Sequence, residues 1–505
     1  MFFSLLFSAV ASSAHAQTLS QEQVAAALPI LDTMAQRAID TGSVPGLAIA
    51  VVHNDQVVYL KGFGRREAGK PEAVDADTVF QIASLSKPIT STIVAALVSD
   101  KVLDWNARIA DLDPAFQLHD AYPTAEVTVR DLLAHRSGLP GAAGNELEDI
   151  GYDRAEVLHR LRLVPLSSSF RAGYSYSNAG FTEGAVAAAK PTGKAWEVVA
   201  EEKLFRPLGM TSTSATYADF LGRSDRAELH ARIDGAWVAK VKRDADMQAP
   251  AGGVSSSARD LAQWMRLELA HGTYDGKPLI AASALDETHA PLFALGTHPV
   301  TGGTYFYGLG WNSEFGRHGL AWGHAGAFSV GSRTVVTLFP KSNLGILILA
   351  NAFPTGVPEG LSDSFADQVF DGKVEKDWTK PWDDLYESLF AGAFAAAKTN
   401  YGTPPASPSP ALPLAAYVGH YANSYIGEAN VTEQNGALTL SVGPGGARSY
   451  PLRHFDRDLF LCFASPEMPE LPYAVRFAIA PDGKASEVTI DFLNDVGLGT
   501  LKRVE

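Results

Sequence analysis

Residues 83–98 read ASLSKPITSTIVAALV, a Ser-x-x-Lys motif followed directly by an apolar helical pattern. The pattern predicts that Ser84 and Lys87 lie at the start of a helix. Because residues three apart share a helix face, the amine of Lys87 can lie beside the hydroxyl of Ser84. The helix N-terminus adds partial positive charge where an oxyanion would form. This stretch therefore predicts a serine nucleophile aligned with its activating amine.

The sequence before this helix predicts a further helix and a β-hairpin. Apolar residues recur every three or four positions over residues 21–39, which is typical of an amphipathic helix. Two β-rich runs, residues 47–53 and 57–60, flank Asn54-Asp55, a pair that tolerates positive φ in a tight turn. A sheet therefore begins in this hairpin.

The sequence after the Ser-x-x-Lys helix is mostly helical in pattern to about residue 300. Further β-rich runs follow at residues 308–311, 332–339 and 344–351. Strands at both ends that enclose helices favour an α+β fold, an α/β sandwich in which one antiparallel sheet is flanked by helices. The central helices predict an inserted helical subdomain, and its cleft with the sheet is the expected place for an active site.

A second domain follows a proline-rich boundary. A helical pattern over residues 382–398 leads into residues 403–413, TPPASPSPALP, whose five prolines favour an extended spacer. The sequence beyond it shows short alternating runs with almost no helical pattern, which predicts a small all-β barrel or sandwich. The predicted units are a signal peptide, a catalytic domain, a linker and a C-terminal barrel-like domain: residues 1–16, 17–400, 401–413 and 414–505.

The N-terminus and the composition bear on where the protein acts and what it binds. Residues 1–16 hold a short apolar stretch that ends in Ala-His-Ala, which fits secretory cleavage, although no Lys or Arg opens it. We expect a periplasmic or secreted protein; an apolar N-terminus on a cytosolic protein is the alternative. The formal charge of −15 argues against a nucleic-acid partner. The rest of the sequence contains no apolar run of about 20 residues, so we expect no membrane anchor in the mature chain.

Tyr176 and Asn178 form a second candidate group, in the loop-like segment RAGYSYSNAG. Tyr176 can act as base and acid, and Asn178 can donate its amide to Lys87 or to a substrate carbonyl. A phenol of pKa about 10 and an amine of pKa about 10.4 must be shifted to act near neutrality. The ammonium favours the phenolate and burial favours the neutral amine, so Lys87 and Tyr176 are treated as a couple.

A third candidate group, His324-Ala325-Gly326-Ala327, precedes a strand-like run. It can place a histidine and a bare backbone along the edge of a cleft, where Gly326 would let a substrate approach closely. The backbone N–H groups of Ser84 and Ala327 are the predicted oxyanion hole.

The ordered set of S-x-x-K, Y-x-N and H-x-G resembles the serine β-lactamase-related superfamily of class C β-lactamases, DD-peptidases, D-aminopeptidases and esterases. Residues 129–140, 251–255 and 307–311 resemble that family as well, so the resemblance spans about residues 45–351. The C-terminal domain resembles the lipocalin-like extensions of such relatives. The superfamily's α/β fold agrees with the fold class predicted from the pattern.

The resemblance assigns one role to each motif residue. It implies that Ser84 is the acylated nucleophile and that Lys87 and Tyr176 transfer protons. Asn178 then orients the substrate, and His324 is the residue of the third motif. These roles match those inferred from the residues themselves.

The third motif departs from that of penicillin-hydrolysing relatives, which usually carry K-T-G or K-S-G. A histidine of pKa about 6.5 is largely neutral at pH 7, so His324 offers no fixed cation to a substrate carboxylate. The resemblance therefore implies a serine hydrolase that cleaves amide or peptide bonds rather than a strong β-lactamase. A carboxylesterase, and a penicillin-binding or sensor protein that acylates once and stalls, share these motifs and stay alternatives.

Other patterns in the sequence imply neither a metal nor a cofactor. The chain has no H-E-x-x-H motif, no paired cysteines and no phosphate-binding P-loop. His135 with Ser137 looks like a hydrolase pair, but residues two apart on a turn diverge, so this pair is interpreted as structural. We expect a small-molecule or peptide substrate and no cofactor, and the oligomeric state stays open.

Overall fold

The computed structural model describes residues 19–464 and 470–504. The predicted signal peptide, residues 1–16, lies outside this part of the chain. The described helices are α1 (Gln21–Asp40), α2 (Ser86–Ser99), α3 (Ile109–Leu112), α4 (Ala121–Glu126), α5 (Val129–Leu133), α6 (Asn145–Asp149), α7 (Arg154–Arg160), α8 (Asn178–Ala189), α9 (Trp196–Ala200), α10 (Tyr217–Gly222), α11 (Ala258–Leu269), α12 (Ala282–His289), α13 (Val357–Asp371) and α14 (Thr379–Tyr401).

The strands fall into one large sheet, one closed barrel and three small pairs. Those before the barrel are β1 (Gly46–His53), β2 (Gln56–Gly64), β3 (Phe80–Gln81), β4 (Ala231–Ile233), β5 (Ala236–Val238), β6 (Ser255–Ser256), β7 (Thr273–Tyr274), β8 (Lys277–Pro278), β9 (Phe293–Thr297), β10 (Thr304–Tyr307), β11 (Asn312–Gly316), β12 (Gly319–Phe328), β13 (Ser332–Phe339) and β14 (Leu344–Ala350). The barrel strands are β15 (Gly419–Asn423), β16 (Gly427–Gln434), β17 (Ala437–Val442), β18 (Arg448–Asp456), β19 (Leu459–Cys462), β20 (Tyr473–Ile479), β21 (Ala485–Ile490) and β22 (Thr500–Val504).

The large sheet joins both ends of the catalytic region. Its eight antiparallel strands run in the order β2-β1-β14-β13-β12-β11-β10-β9. Leu47 of β1 pairs with Ala350 of β14, and every residue of β1 is buried because helices cover both faces. Leu47, Ile49 and Val51 pack with α1 and α13, whereas the alternate residues of β1 pack with the helical middle of the chain. The predicted α+β fold is therefore confirmed.

The hairpin at the start of the sheet forms as predicted. Asn54 and Asp55 connect β1 to β2 with φ of 51° and 61°, the positive angles that a tight two-residue hairpin requires. The strand predicted at residues 308–311 is wrong, because these residues form the loop between β10 and β11. Gly310 has a φ of 74°, and a Cβ at this position would lie 2.4 Å from Ser91 Oγ of α2. This loop therefore packs against the Ser-x-x-Lys helix.

Helix α2 packs against α8, α9 and α12 and is buried on all sides. Its residues from Ser86 to Leu97 are all buried. Polar residues of this helix are buried as well, and Thr90 Oγ1, for example, donates to Pro250 O at 2.7 Å. The first turn of this helix is consequently fixed in place by packing from every direction.

The C-terminal strands close into the predicted barrel. Strands β15 to β22 pair with their neighbours in sequence, and β22 pairs with β15. The barrel contacts the catalytic domain around α6: the hydroxyl of Tyr425 accepts from Gly144 N at 3.0 Å, and that of Tyr152 donates to Ile426 O at 3.0 Å. None of the described helices combines the length and apolar content that crossing a bilayer requires.

Candidate active site

Ser84 lies in a single 3-10 turn, Ala83–Leu85, directly before α2. Ala83 has a φ of 48°, in the left-handed region that residues with a side chain rarely adopt. Ser86 holds this turn, because its Oγ donates to Ala83 O at 2.6 Å and accepts from Val254 N at 3.0 Å. Ser84 itself is partly exposed, whereas its neighbours on both sides are buried. The turn thus presents one hydroxyl to the cleft.

The amine of Lys87 is buried beside that hydroxyl. Its Nζ lies 3.2 Å from Ser84 Oγ, 2.7 Å from Asn178 Oδ1 and 2.8 Å from Ala251 O. The side chain is fully buried, and burial lowers its pKa well below the usual lysine value. Within the described residues no carboxylate forms an ion pair with this amine, so the neutral form is favoured.

Tyr176 contacts both of these residues. Lys87 Nζ lies 4.4 Å from the centre of the Tyr176 ring, and the Ser84 side chain is close enough to the Tyr176 hydroxyl to lower its pKa. Burial raises the pKa of Tyr176 above that of a free phenol, and the nearby Ser84 side chain opposes this shift only in part. Burial is therefore the main influence on the pKa of both Lys87 and Tyr176, and it favours a neutral amine beside a protonated phenol.

Asn178 is the first residue of α8, whose N-cap, Ser177, accepts from Gly180 N. This position aims the Asn178 side chain at Lys87, and its Oδ1 accepts a hydrogen bond from the amine. The prediction that Asn178 donates its amide to Lys87 is therefore corrected: the oxygen faces the lysine. The amide nitrogen is left to face other groups.

His324 lies on β12 and is buried next to Tyr176 and Tyr307. Its Nε2 lies 3.3 Å from the Tyr307 hydroxyl, and its Nδ1 lies 2.8 Å from Ala325 O. Burial, with a further contribution from Lys87, lowers the pKa of His324 to about 3. The imidazole is accordingly neutral at physiological pH, as expected from the sequence.

Gly326 brings β12 into contact with the Ser84 turn. A Cβ at Gly326 would lie 2.2 Å from Ile82 O and 2.9 Å from Leu85 N. Gly326 was expected to let a substrate approach closely, but the protein's own backbone occupies the place of its missing Cβ. The glycine is needed here so that two backbones can meet, and Ala327 follows it at the same junction.

His135, which the sequence analysis interpreted as structural, orients the Tyr176 loop. Its Nδ1 accepts from Ser177 N at 3.1 Å, and its ring centre lies 4.4 Å from that of Tyr176. Sequence reasoning also missed Ala251, whose carbonyl oxygen accepts from Lys87. Both residues lie in segments that resemble the family, residues 129–140 and 251–255, and this resemblance was the only indication of a role for them in the sequence.

Two family models match this chain, one over the catalytic region and one over the C-terminal region. The family model named Beta-lactamase matches residues 31–369, most of the chain. The chain belongs to the beta-lactamase family. A second model, a domain of unknown function (DUF3471), matches residues 403–499. The predicted membership in the β-lactamase-related superfamily is therefore confirmed.

Several curated proteins are similar to this member of the beta-lactamase family. Unguisins hydrolase ungD' of Aspergillus campestris is 25% identical over 63% of this chain and 60% of its own length. Protein flp of Staphylococcus aureus is 23% identical over 65% of this chain and 64% of its own. The chain thus spans less than two thirds of these two relatives. D-alanyl-D-alanine-carboxypeptidase/endopeptidase AmpH of Escherichia coli is 26% identical over 70% of this chain and 92% of its own length.

Solved structures share the fold over nearly the whole chain. The octameric penicillin-binding protein homologue from Pyrococcus abyssi covers 94% of this chain and 99% of its own, with a TM-score of 0.57 and 18% identity. The structure of SurE covers 95% of this chain and all of its own, with a TM-score of 0.56 and 22% identity. The similarity therefore includes the barrel as well as the beta-lactamase domain.

Proposed function

We propose that this protein is a serine hydrolase that cleaves amide or peptide bonds through an acyl-enzyme on Ser84. The observation that carries this proposal is the set of contacts around Lys87: one buried amine lies within 3.2 Å of Ser84 Oγ, Asn178 Oδ1 and Ala251 O. A neutral amine has two N–H donors and one lone pair. The asparagine and the backbone carbonyl accept the two N–H groups, which leaves the lone pair for the serine hydroxyl.

In the acylation step, Ser84 Oγ attacks the carbonyl carbon while its proton passes to Lys87 Nζ. The carbonyl oxygen becomes an oxyanion, and the backbone N–H groups of Ser84 and Ala327 are the donors proposed to bind it. Each such donor contributes about 3 to 4 kcal/mol to a transition state. The junction at Gly326 supports this pairing, since it brings the backbone of β12 against the Ser84 turn.

Tyr176 is proposed to carry the proton to the leaving group. Its phenol stays protonated because burial raises its pKa, and the Ser84 side chain only partly opposes that shift. As the tetrahedral intermediate collapses, the phenol protonates the departing amine and takes the proton held by Lys87. Water then attacks the ester carbon of the acyl-enzyme, gives up its proton by the reverse route, and releases the acid and free Ser84.

The neutral state of His324 supports substrates in which a free carboxylate is not required. No fixed cation is provided at the third motif, since the pKa of His324 is lowered to about 3. D-amino-acid amides and peptides are the proposed substrate class. One relative is named a D-alanyl-D-alanine-carboxypeptidase/endopeptidase, a name that agrees with cleavage of amide bonds, and another is named an unguisins hydrolase.

The barrel is proposed to shape access to the cleft. Arg448 and Tyr450 of the barrel line a cavity of about 820 Å³, together with Arg243 and Met247 of the catalytic domain. Gln81, which lies three residues before Ser84, donates to Arg243 O at 2.8 Å, so this cavity borders the nucleophile's segment. A chain that ends near residue 400 should accept a different range of substrates. An unchanged range would remove this role from the barrel.

Export remains a proposal that rests on residues 1–16 alone. A periplasmic or secreted location suits an enzyme that acts on peptides from outside the cytoplasm. Fractionation of cells that produce the full chain, with sequencing of the mature N-terminus, tests it. Cleavage before Gln17 is the expected result.

Covalent labelling tests the proposed function. A fluorophosphonate should add one adduct to the chain, and peptide mass spectrometry should map it to Ser84. Ser84→Ala should take up no label and should lose turnover of D- and L-amino-acid p-nitroanilides by at least about a thousandfold. Ser388→Ala, at an exposed serine of α14, is the matched control. A burst of product with no steady turnover would favour the sensor alternative, and turnover confined to p-nitrophenyl esters would favour the carboxylesterase.

A further inference from the structure

The segment that carries Tyr176 depends on its neighbours for its position. Residues 174–177 form neither a helix nor a strand. His135 holds this segment at two points: its backbone oxygen accepts from Ser175 N at 2.9 Å, and its Nδ1 accepts from Ser177 N at 3.1 Å. A displacement of about 1 Å in a reacting group can cost about a hundredfold in rate, so whatever else supports this segment bears on catalysis.

A second support is the turn formed by residues 141–144, here named the 141–144 turn. A Cβ at Gly141 would lie 2.9 Å from Tyr176 O. A Cβ at Gly144 would lie 3.2 Å from the Cβ of Ala179, the residue after Asn178. The two glycines therefore allow the 141–144 turn to lie directly against the backbone of Tyr176 and the start of α8.

A side chain of the C-terminal barrel holds the end of the 141–144 turn. The side chain of Tyr425 is buried, with 2% of the residue exposed, and its hydroxyl accepts from Gly144 N at 3.0 Å. The two residues are 281 positions apart in the sequence. A buried N–H group that loses its acceptor is costly, so this bond fixes the position of Gly144. A residue of the barrel thus completes the support of a segment in the active site.

The barrel loop that carries Tyr425 is itself fixed to the catalytic domain. Arg160 Nη1 donates to Tyr425 O at 2.6 Å, and the Tyr152 hydroxyl donates to Ile426 O at 3.0 Å. Within the barrel, Ile426 N donates to Asn423 Oδ1 at 2.6 Å. Bonds from both domains therefore hold this loop, and the Tyr425 hydroxyl is a fixed point against which Gly144 is placed.

We propose that Tyr425 is a positioning residue for amide cleavage: through the 141–144 turn it keeps the Tyr176 phenol in place beside Ser84 and Lys87. This role rests on the proposed function, because it assumes that Tyr176 protonates the leaving group. It is separate from the proposed effect of the barrel on access to the cleft, since Tyr425 acts on the rate of cleavage rather than on the range of substrates.

The kinetics of Tyr425→Phe test this proposal. The variant keeps the ring and removes only the hydroxyl that accepts from Gly144. We expect kcat for a peptide p-nitroanilide to fall by at least about tenfold, while KM changes by less than about twofold. For a p-nitrophenyl ester, kcat should fall by less than about threefold, because p-nitrophenolate leaves without a proton from Tyr176.

Tyr421→Phe is the matched control. Tyr421 is also a buried tyrosine of the barrel, but its hydroxyl donates to Tyr417 O at 2.7 Å and so bonds within the barrel. The variant loses a buried hydroxyl without touching the 141–144 turn. Its turnover of the peptide p-nitroanilide and of the ester should both match the wild type.

A double variant separates positioning from a loss of folded protein. If Tyr425 acts through Tyr176, Tyr425→Phe combined with Tyr176→Phe should cleave the amide as fast as Tyr176→Phe alone, within about twofold. A merely structural role would instead lower amide and ester turnover by the same factor, with or without Tyr176. Equal losses for the two substrates, or losses that multiply in the double variant, would overturn the proposal.

Failure of this proposal is distinguishable from failure of the proposed function. A wild-type chain that takes up no fluorophosphonate at Ser84 would remove the proposed function, whereas a labelled, active wild type with an unaffected Tyr425→Phe would remove only the role of Tyr425. If Tyr425→Phe does not fold, Tyr152→Phe decides, because it frees Ile426 O and loosens the loop that carries Tyr425. Its ratio of amide to ester turnover should fall by at least about threefold, and an unchanged ratio would overturn the proposal.

Discussion

The Cβ position of Gly326 lies 2.2 Å from the carbonyl oxygen of Ile82. The strand that carries the third motif and the turn that carries Ser84 therefore meet backbone to backbone. A side chain at residue 326 would force the two apart by more than an ångström. One glycine thus sets the separation between the nucleophile and the strand that borders it.

Gly326→Ala should consequently impair acylation. We expect the labelling rate of Ser84 to fall by at least about tenfold and the free energy of unfolding to fall by about 1 to 3 kcal/mol, because overpacking displaces the backbone. Gly392→Ala is the control, since nothing lies within 4 Å of its Cβ position on α14. Urea unfolding and fluorophosphonate labelling measure the two effects. Normal labelling of folded Gly326→Ala would contradict this account.

The pH dependence of turnover should report Lys87. Burial lowers the pKa of this amine, and only the neutral form accepts the serine proton, so kcat/KM should rise with pH through that pKa and then level off. Lys87→Ala should lose about a hundred- to ten-thousandfold in kcat, and its residual activity should lack the acid limb. His324→Gln should keep the limb, because the pKa of His324 is about 3 and the ring stays neutral above pH 5. If the fall in kcat/KM at low pH disappears in His324→Gln, then His324 rather than Lys87 is the base.

Tyr176→Phe should affect amides more than activated esters. An amine leaves only after protonation, whereas p-nitrophenolate leaves without it. The factor by which kcat falls should therefore be at least about ten times greater for a peptide p-nitroanilide than for a p-nitrophenyl ester. Tyr174→Phe is the matched control, because Tyr174 packs on His135 beside the site. Equal losses for both substrates in Tyr176→Phe would show that the phenol acts before the leaving group departs.

The free energy of unfolding should decrease as pH rises, because a carboxyl is buried where the barrel meets α6. Glu146 is 3% exposed, and burial raises its pKa from 4.5 to about 8. The folded chain therefore holds a proton that the unfolded chain loses between these two values. The free energy of unfolding should fall across this window, by at most about 1.4 kcal/mol per pH unit for one group.

Glu146→Gln should remove this contribution to the pH dependence. Urea unfolding at pH 5.5 and 7.5 gives the change in the free energy of unfolding with pH for the variant and for the wild type. The difference between these two changes reports Glu146, because the contributions of the other titrating groups cancel. Glu433→Gln, at an exposed position of the barrel, should behave like the wild type. Parallel stability curves for the wild type and Glu146→Gln would rule out a raised pKa at this carboxyl.

The fold was predictable wherever β-rich apolar runs or alternating runs lie between turn residues. The hairpin at Asn54-Asp55, the strands β13 and β14 and the all-β character of the C-terminal domain all carried such patterns. The strand predicted at residues 308–311 failed because an apolar run in a buried loop resembles a strand. The long strand β12 was missed, since Gly319, Gly323 and Gly326 interrupt its pattern, and Gly326 is where the backbone meets the Ser84 turn.

The site was predictable to the extent that its residues share motifs. Ser84, Lys87, Tyr176, Asn178 and His324 were all named from the sequence, and the structure places them within one cluster. What the sequence did not reveal was direction: the oxygen of Asn178 faces Lys87. The contribution of Ala251 is a backbone carbonyl, which any residue can supply, so no side-chain pattern could have indicated it.

The pairing of β1 with β14 has a consequence for biosynthesis. Leu47 finds its partner, Ala350, about 300 residues later in the chain. A growing polypeptide therefore carries an apolar hairpin that stays without its neighbouring strand until most of the catalytic region has been made. Completion of the sheet is thus a late event in synthesis, and chaperones that shield exposed strands have their longest opportunity to act on residues 46–64.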